Sequence, residues 1–347
     1  MKKLRLLFVG LILTSTAYAL QPGTEDVFAR VVDTGPALCC VVRIPGNHYF
    51  IYDAGHYLNQ AQTFRKVTEI IPPRSAVDLL VLSHSDADHL GLVDEICNTY
   101  AVKRVIWSGW ERDTATWRTA SQAIRNEAAT GACAVLDLCA AVLPRGQVYT
   151  LGAARVQMIS GFCHPPSQWP LITDAERYNA GSIVCRLTYQ GHAILFPGDE
   201  VGRHNGQAAD TAIATEAYMI AGAGQIPLVS DVLIAPHHGA DNASSTPFIR
   251  AVSPRFVIFS AGHEYRHPRA TTARRYLNAG VALRNMYRTD FGDDEGPDEW
   301  SFGRVAGQAD PLWDDDVDIA LRQSGEVGVE YRDPANQHRH ESLAAGH

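Results

Sequence analysis

Between His84 and His89 this chain places four side chains of metal-ligand type, His84, Asp86, Asp88 and His89, within six residues. The run S-H-S-D-A-D-H-L-G, Ser83 to Gly91, follows the apolar stretch V-D-L-L-V-L of residues 77–82, which reads as a buried strand, and leads into a helical pattern over Leu90–Tyr100. Divalent cations take deprotonated oxygen and imidazole donors at about 2.0 to 2.2 Å, and a tight strand-to-helix turn aims several of them at one point. His84 and Asp86 can face one cation while Asp88 and His89 face its neighbour. A polar turn in which Asp88 merely caps the helix is the plainer alternative, but it gives no reason for so many ligands together.

Elements around this turn alternate. Three short β runs from Val27 to Asp53, separated by Gly-Pro and Pro-Gly signals, predict an antiparallel meander. Helices are expected at Ala61–Ile71, Thr114–Ala129, Thr211–Ala221, Thr246–Val252 and Ala270–Ala279. Strands are expected at Lys103–Trp107, Arg155–Ser160, Ser182–Tyr189, His192–Phe196, Asp231–Ile234, Phe256–Phe259 and Val281–Tyr287. Meanders followed by helical crossovers predict an α/β fold, an αββα sandwich of two mixed β-sheets flanked by helices. One domain is expected over residues 25–332, the acidic run Asp290–Glu299 reads as a solvated loop, and residues 333–347 as a disordered tail.

The turn resembles the second motif of the metallo-β-lactamase superfamily, H-x-H-x-D-H, with Asp86 in place of the middle histidine. That variant is similar to the soluble hydrolase domain of ComEC-type competence proteins. The same group is matched in order by V-D-T-G-P at Asp33, Y-D-A-G at Tyr52–Gly55, N-A-G-S at Asn179–Ser182, F-P-G-D-E at Phe196–Glu200, P-H-H-G at Pro236–Gly239, R-H-P at Arg266–Pro268 and Y-R-T-D at Tyr287–Asp290. The resemblance implies the metallo-β-lactamase fold and two divalent cations, Zn²⁺ or Mn²⁺. Asp199 would bridge them and His238 would complete the second. His237 would orient substrate or a ligand. His164, in F-C-H-P-P, reads either as a third histidine for the first cation or as a loop residue. Asp53 is expected to support the metal loop, Asn179 and Ser182 to lie near the site, and His267 either to contact the leaving group or to start a helix. Two departures are Leu92 after Gly91 and Ala240 after Gly239, where the group has glycine and serine.

A divalent ion lowers the pKa of bound water from 15.7 to about 7, so hydroxide is the expected nucleophile, with Asp88 and His267 as the protein's catalytic side chains. Phosphodiester hydrolysis, as nuclease or phosphodiesterase on a phosphoester or nucleic-acid-derived substrate, is the leading expectation. Amide, lactone or thioester hydrolysis is the alternative, less consistent with Asp86, and a catalytically silent binding protein is a third. Charge bears on the substrate. M-K-K-L-R, the apolar run Leu6–Leu13 and Ala17-Tyr18-Ala19 read as a signal peptide over residues 1–19, implying export without a stable membrane anchor after cleavage. Its removal takes away Lys2, Lys3 and Arg5 and no acid, moving the formal charge from −8 to −11. So acidic a surface needs a local basic rim to hold a long polyanion, with Arg255, Arg266, Arg269, Arg274 and Arg275 as candidates. The seven cysteines lack C-x-x-C spacing and read mostly as buried thiols, Cys163 among them, with one disulfide allowed and Cys39 and Cys40 on opposite faces of a strand.

Overall fold

A computed structural model of the chain describes residues 20–292, 296–301 and 313–345. The expected leader at 1–19, the middle of the acidic run and the last two residues lie outside the described residues. β1 (Val27–Val31), β2 (Cys40–Ile44) and β3 (His48–Tyr52) form the expected antiparallel meander. Then come α1 (Gln60–Ile70), a short β4 (Ala76–Val77), β5 (Leu79–Leu82), α2 (Ala87–Leu90), α3 (Val93–Thr99), a short β6 (Ala101–Val102), β7 (Arg104–Trp107), α4 (Ala115–Ala129) and β8 (Ala134–Asp137). β3, β5, β7 and β8 pair in parallel, and all four residues of β5 are buried, as a strand covered on both faces requires.

The second half repeats the plan. β9 (Val148–Leu151), β10 (Ala154–Ser160), β11 (Val184–Tyr189) and β12 (His192–Phe196) are antiparallel, with α5 (Asp174–Ala180) inserted after β10. α6 (Ala214–Gly222), β13 (Val232–Ile234), α7 (Thr246–Val252), β14 (Phe256–Phe259), α8 (Ala270–Asn278) and β15 (Met286–Arg288) then add parallel strands with helical crossovers. β16 (Val317–Leu321) and β17 (Val327–Tyr331) return to the first sheet, where β16 pairs with β1 from Val27↔Leu321 to Val31↔Val317. The sheet orders are β17-β16-β1-β2-β3-β5-β7-β8 and β15-β14-β13-β12-β11-β10-β9.

Period-two alternation builds the layers. Val27, Ala29, Cys40, Phe50 and Tyr52 face the second sheet's Val156, Leu187 and Phe196, whereas Phe28, Cys39, Val41 and Ile51 face Val67, Ile96 and Ile124 on the helices outside. Cys39 and Cys40 therefore do lie on opposite faces. Both sheets are mixed and helix-covered, as expected. β3, β5, β12 and β13 end at one edge, where carboxyl ends of parallel strands commonly leave a crevice for ligands.

Four expectations need correction. Residues 334–345 are not a disordered tail but a helix, α9. Its His340 is 1% exposed, stacks on Tyr287 at 4.4 Å and hydrogen-bonds the Arg284 carbonyl at 3.0 Å. The acidic run is not wholly solvated. Asp290 and Glu299 are buried, and Asp290 takes a two-pronged contact from the fully buried Arg288 at 2.6 and 2.5 Å. The strand expected over Val281–Tyr287 is mostly a turn, with only Met286–Arg288 extended. Cys163 is not a free thiol but is bonded to Cys139; Cys39, Cys40, Cys97, Cys133 and Cys185 are buried and free.

Behind the site two fully buried carboxyls, Glu200 and Glu216, lie together. Glu216 accepts the Ser245 N–H at 3.0 Å, which favours its anion, so Glu200 is the neutral partner. Burial, then the Glu216 charge, holds Glu200 well above the usual carboxyl range. A raised folded-state value contributes stability that is complete below the unfolded pKa and lost as pH rises through the folded one. Glu200→Gln cannot ionise, so its stability relative to the parent should rise with pH in this window by about 1.4 kcal/mol per unit. Thermal melts in chelator at about pH 5 and about pH 8 test this, and an equal offset at both would refute a neutral Glu200.

Candidate metal centre

The metal-type residues leave the ends of three strands, β5, β12 and β13. After β5 the chain turns at Ser83–Ser85, and Asp86 takes the cap position of α2, at φ −76° and ψ 152°, without spending its side chain on a cap hydrogen bond. Its carboxylate stays available, and Asp88, inside the first turn, is not the cap. After β12, Gly198 has φ +60°, and a Cβ there would meet the Ser83 side chain at 2.6 Å. Only glycine lets Asp199 approach the His84 turn so closely. After β13, His237 and His238 adopt left-handed φ of 49° and 53°, a conformation that costs non-glycine residues on the order of 1–3 kcal/mol each. The His237 N–H is tied to the Gly198 carbonyl at 3.0 Å.

Hydrogen bonds orient the imidazoles. Asp53, fully buried, accepts the Ser83 N–H at 2.6 Å, the Ser83 hydroxyl at 2.8 Å and His89 Nδ1–H at 2.8 Å. Because that hydroxyl donates to Asp53, its oxygen accepts from His84 Nδ1–H at 2.9 Å. His238 Nδ1–H donates to the Ser260 carbonyl at 2.5 Å. With the proton on Nδ1, all three rings turn a lone pair on Nε2 toward the carboxylates. His89 Nε2 lies 3.4 Å from Asp199 Oδ1, while His238 Nε2 lies 3.5 Å from both Asp199 Oδ2 and Asp88 Oδ2. His84 Nε2 is 3.7 Å from Asp86 Oδ2 and 4.0 Å from Asp199 Oδ2.

Asp88, His89, Asp199 and His238 each offer a ligand atom within 4.8 Å of the others, the donor set of one divalent cation. His84, whose buried Nε2 has no hydrogen-bond partner, outlines a neighbouring position with Asp86 and Asp199 Oδ2. Electrostatics agree with a cation. Burial works against ionising Asp88 and Asp199, yet the adjoining His89 and His238 hold both carboxyls below the usual range. Burial likewise opposes charge on His89 and His238, but Asp199 and Asp88, joined at His89 by Asp53, outweigh it and raise both rings. A cation must displace those protons, so apparent affinity should strengthen with rising pH and binding should release at least one proton. Titration calorimetry in two buffers of different ionisation heat counts the protons, and none released would contradict this electrostatic account.

His164 does not join this cluster. Its ring is exposed, sits edge-on to Trp110 at 4.5 Å, and makes no hydrogen bond or ion pair with His84, Asp86 or Asp199 among the described residues. The Cys139–Cys163 bond ties its backbone to the turn after β8 instead. Ser182 accepts the Asp199 N–H at 3.1 Å, and Asn179 contacts His237 Nε2 at 3.3 Å. His237 also reaches Asp199 at 3.7 Å, and its ring lies 6.0 Å from that of His267. Burial, then His237, His238 and Arg269, lowers His267 to about 3, so this ring is neutral near pH 7. Of the expected basic rim, Arg275 is buried against Asp241 at 2.8 Å, and Arg255 lies over Phe256. Sequence reasoning missed Arg112, which pairs with Asp86 at 2.5 Å and covers the Tyr178 ring at 3.9 Å. No local spacing links Arg112 to Asp86.

Residues 32–155 match the family model described as metallo-beta-lactamase superfamily. Competence protein ComA of Neisseria gonorrhoeae is 26% identical over 293 residues, covering 77% of this chain and 31% of ComA. ComE operon protein 3 of Bacillus subtilis (strain 168) is 24% identical over 195 residues, covering 55% of this chain and 21% of that protein. The chain thus spans less than a third of the length of either curated relative. Among solved structures, CmlA, a diiron β-hydroxylase from Streptomyces venezuelae, is similar at a TM-score of 0.45 and 15% identity, covering 76% of this chain and 52% of CmlA.

Proposed function

We propose that this chain, whose residues 32–155 match the metallo-beta-lactamase superfamily model, is a metal-dependent hydrolase acting on phosphodiesters. One observation carries the reading: the Nδ1 atoms of His84, His89 and His238 are each committed to a hydrogen bond, leaving Nε2 of each ring facing Asp86, Asp88 and Asp199. Held by these residues, two divalent cations would supply a nucleophilic water at neutral pH and positive charge for the attacked group. Asp199, with its two oxygens directed at different rings, can serve both positions. An oxygen-rich donor set supports Mn²⁺ beside Zn²⁺.

The chain's own groups supply positioning. His237 and Asn179 stand beside Asp199 and can hold a phosphoryl oxygen by N–H donation. A neutral His267 offers a hydrogen bond to the leaving oxygen rather than an imidazolium proton. Asp88, kept ionised by His89 and His238, can accept a hydrogen bond from the attacking water and orient it. The Cys139–Cys163 disulfide, a bond that persists in oxidising compartments, supports export of the chain. Mn²⁺- and Zn²⁺-loaded protein should hydrolyse bis-p-nitrophenyl phosphate and leave nitrocefin intact. The reverse preference would move the assignment to lactam or amide hydrolysis, and metal-loaded protein inert toward both would mark a binding protein.

A further inference from the structure

The cavity over the metal-type residues, about 430 Å³, opens into a second of about 510 Å³, and both are lined by Asn205, His237, Asn242 and His267. We propose that this second cavity is a subsite for one uncharged, hydrogen-bonding ring substituent of nucleoside size, so that the substrate is a small phosphodiester and not a polynucleotide. The inference rests on the hydrolase reading above and adds the substrate class to it.

Charge and lining carry the argument. The four arginines around the groove share two carboxylates, Arg203 and Arg275 meeting Asp241 at 2.9 and 2.8 Å and Arg266 and Arg269 meeting Asp298 at 3.4 and 4.0 Å, and Arg203 and Arg275 are buried. That leaves Arg266 and Arg269, with Asp298 between them, as the exposed charge of the rim, too little on a chain of formal charge −8 to neutralise the successive phosphates on which polynucleotide affinity depends. An uncharged group suits the same walls. Asn242, 7% exposed, faces both cavities and offers donor and acceptor. His267 Nδ1 is buried without a hydrogen-bond partner. Asp298 is 60% exposed and retains acceptor capacity for a hydroxyl. Ala240, Ala270 and Pro297 give the apolar surface on which a ring face can lie.

Thr271, exposed on α8 at the groove wall, is the position to block, and Pro297→Trp, at an exposed residue of a separate loop that lines the second cavity and not the one over the metal-type residues, is a second blocking variant should Thr271→Trp not fold. Metal-loaded protein is given thymidine 5′-(p-nitrophenyl phosphate) and methyl p-nitrophenyl phosphate. The nucleoside ester should be favoured in kcat/KM by about tenfold or more, about 1.4 kcal/mol. Thr271→Trp or Pro297→Trp should remove that advantage through KM and leave the methyl ester unchanged. Equal use of both esters by the parent, or an equal loss on both in the variants, overturns the subsite. Calorimetric binding of thymidine 5′-methyl phosphate against dimethyl phosphate reads the subsite without turnover. Selective binding that the tryptophan abolishes, with neither ester cleaved, keeps the subsite and sinks the hydrolase reading. A single-stranded oligothymidylate that binds more tightly than the nucleoside ester, with a steep salt dependence, overturns the small-diester class.

Discussion

Asp199→Ala should abolish paired-metal binding and lower kcat/KM for bis-p-nitrophenyl phosphate by on the order of a thousandfold or more, the scale reached when a preorganised electrostatic group is deleted. The geometry explains so large an effect. Asp199 is 3% exposed and approaches His84, His89, His237 and His238 within 4.0 Å, and among the described residues no other carboxylate pairs with rings of both halves of the cluster. Its loss also strips the negative charge that balances the cations the site is proposed to hold. Elemental analysis after dialysis, alongside kinetics, separates the possibilities. A variant holding two metal equivalents at parental activity would remove Asp199 from the site.

Asp53→Ala should act at one remove and nearly as strongly. Three buried donors, the Ser83 N–H, the Ser83 hydroxyl and His89 Nδ1–H, would lose their common acceptor. Stranded donors cost about 1–3 kcal/mol each, although relaxation will recover part of that. Metal affinity should fall about 10- to 100-fold, the usual effect of removing a group that orients a ligand. Asp53→Asn separates the two effects. Its amide oxygen can still accept from Ser83, but its NH₂ would face His89 Nδ1 and favour the tautomer that protonates Nε2. Melting should then stay closer to the parent than in Asp53→Ala, while metal affinity falls as far. Parental affinity in Asp53→Asn would refute the tautomer-setting role.

Legibility followed how local each signal was. The turn from His84 to His89 was plain because one strand end carries four ligand-type residues, although the helix expected from Leu90 begins earlier, as α2 at Ala87, and resumes as α3 at Val93. Period-two alternation predicted the meander and set Cys39 and Cys40 on opposite faces. His164 misled because a histidine after a strand looks alike whether its loop folds inward or is tied away by a disulfide. The C-terminal tail misled because polar composition resembles disorder, whereas Asn336 and His340 find buried partners in the Asp315 carboxylate and the Arg284 carbonyl. The basic rim misled because a count of arginines does not show that Arg275 turns inward to Asp241.

By itself the sequence determined the alternation of strands and helices from Val27 to Trp107 and from Ser182 to Phe259, the layered class and the metal-type residues of the His84–His89 turn, since each is written in neighbours a few positions apart. Tertiary structure alone decided that Asp199 and His238, 110 and more positions downstream of His89, share its cluster, that Arg112 restrains Asp86, and that β16 closes on β1. The reason is physical: pairings across the chain are chosen by how two sheets bury their common apolar face, and no local window of sequence contains both partners.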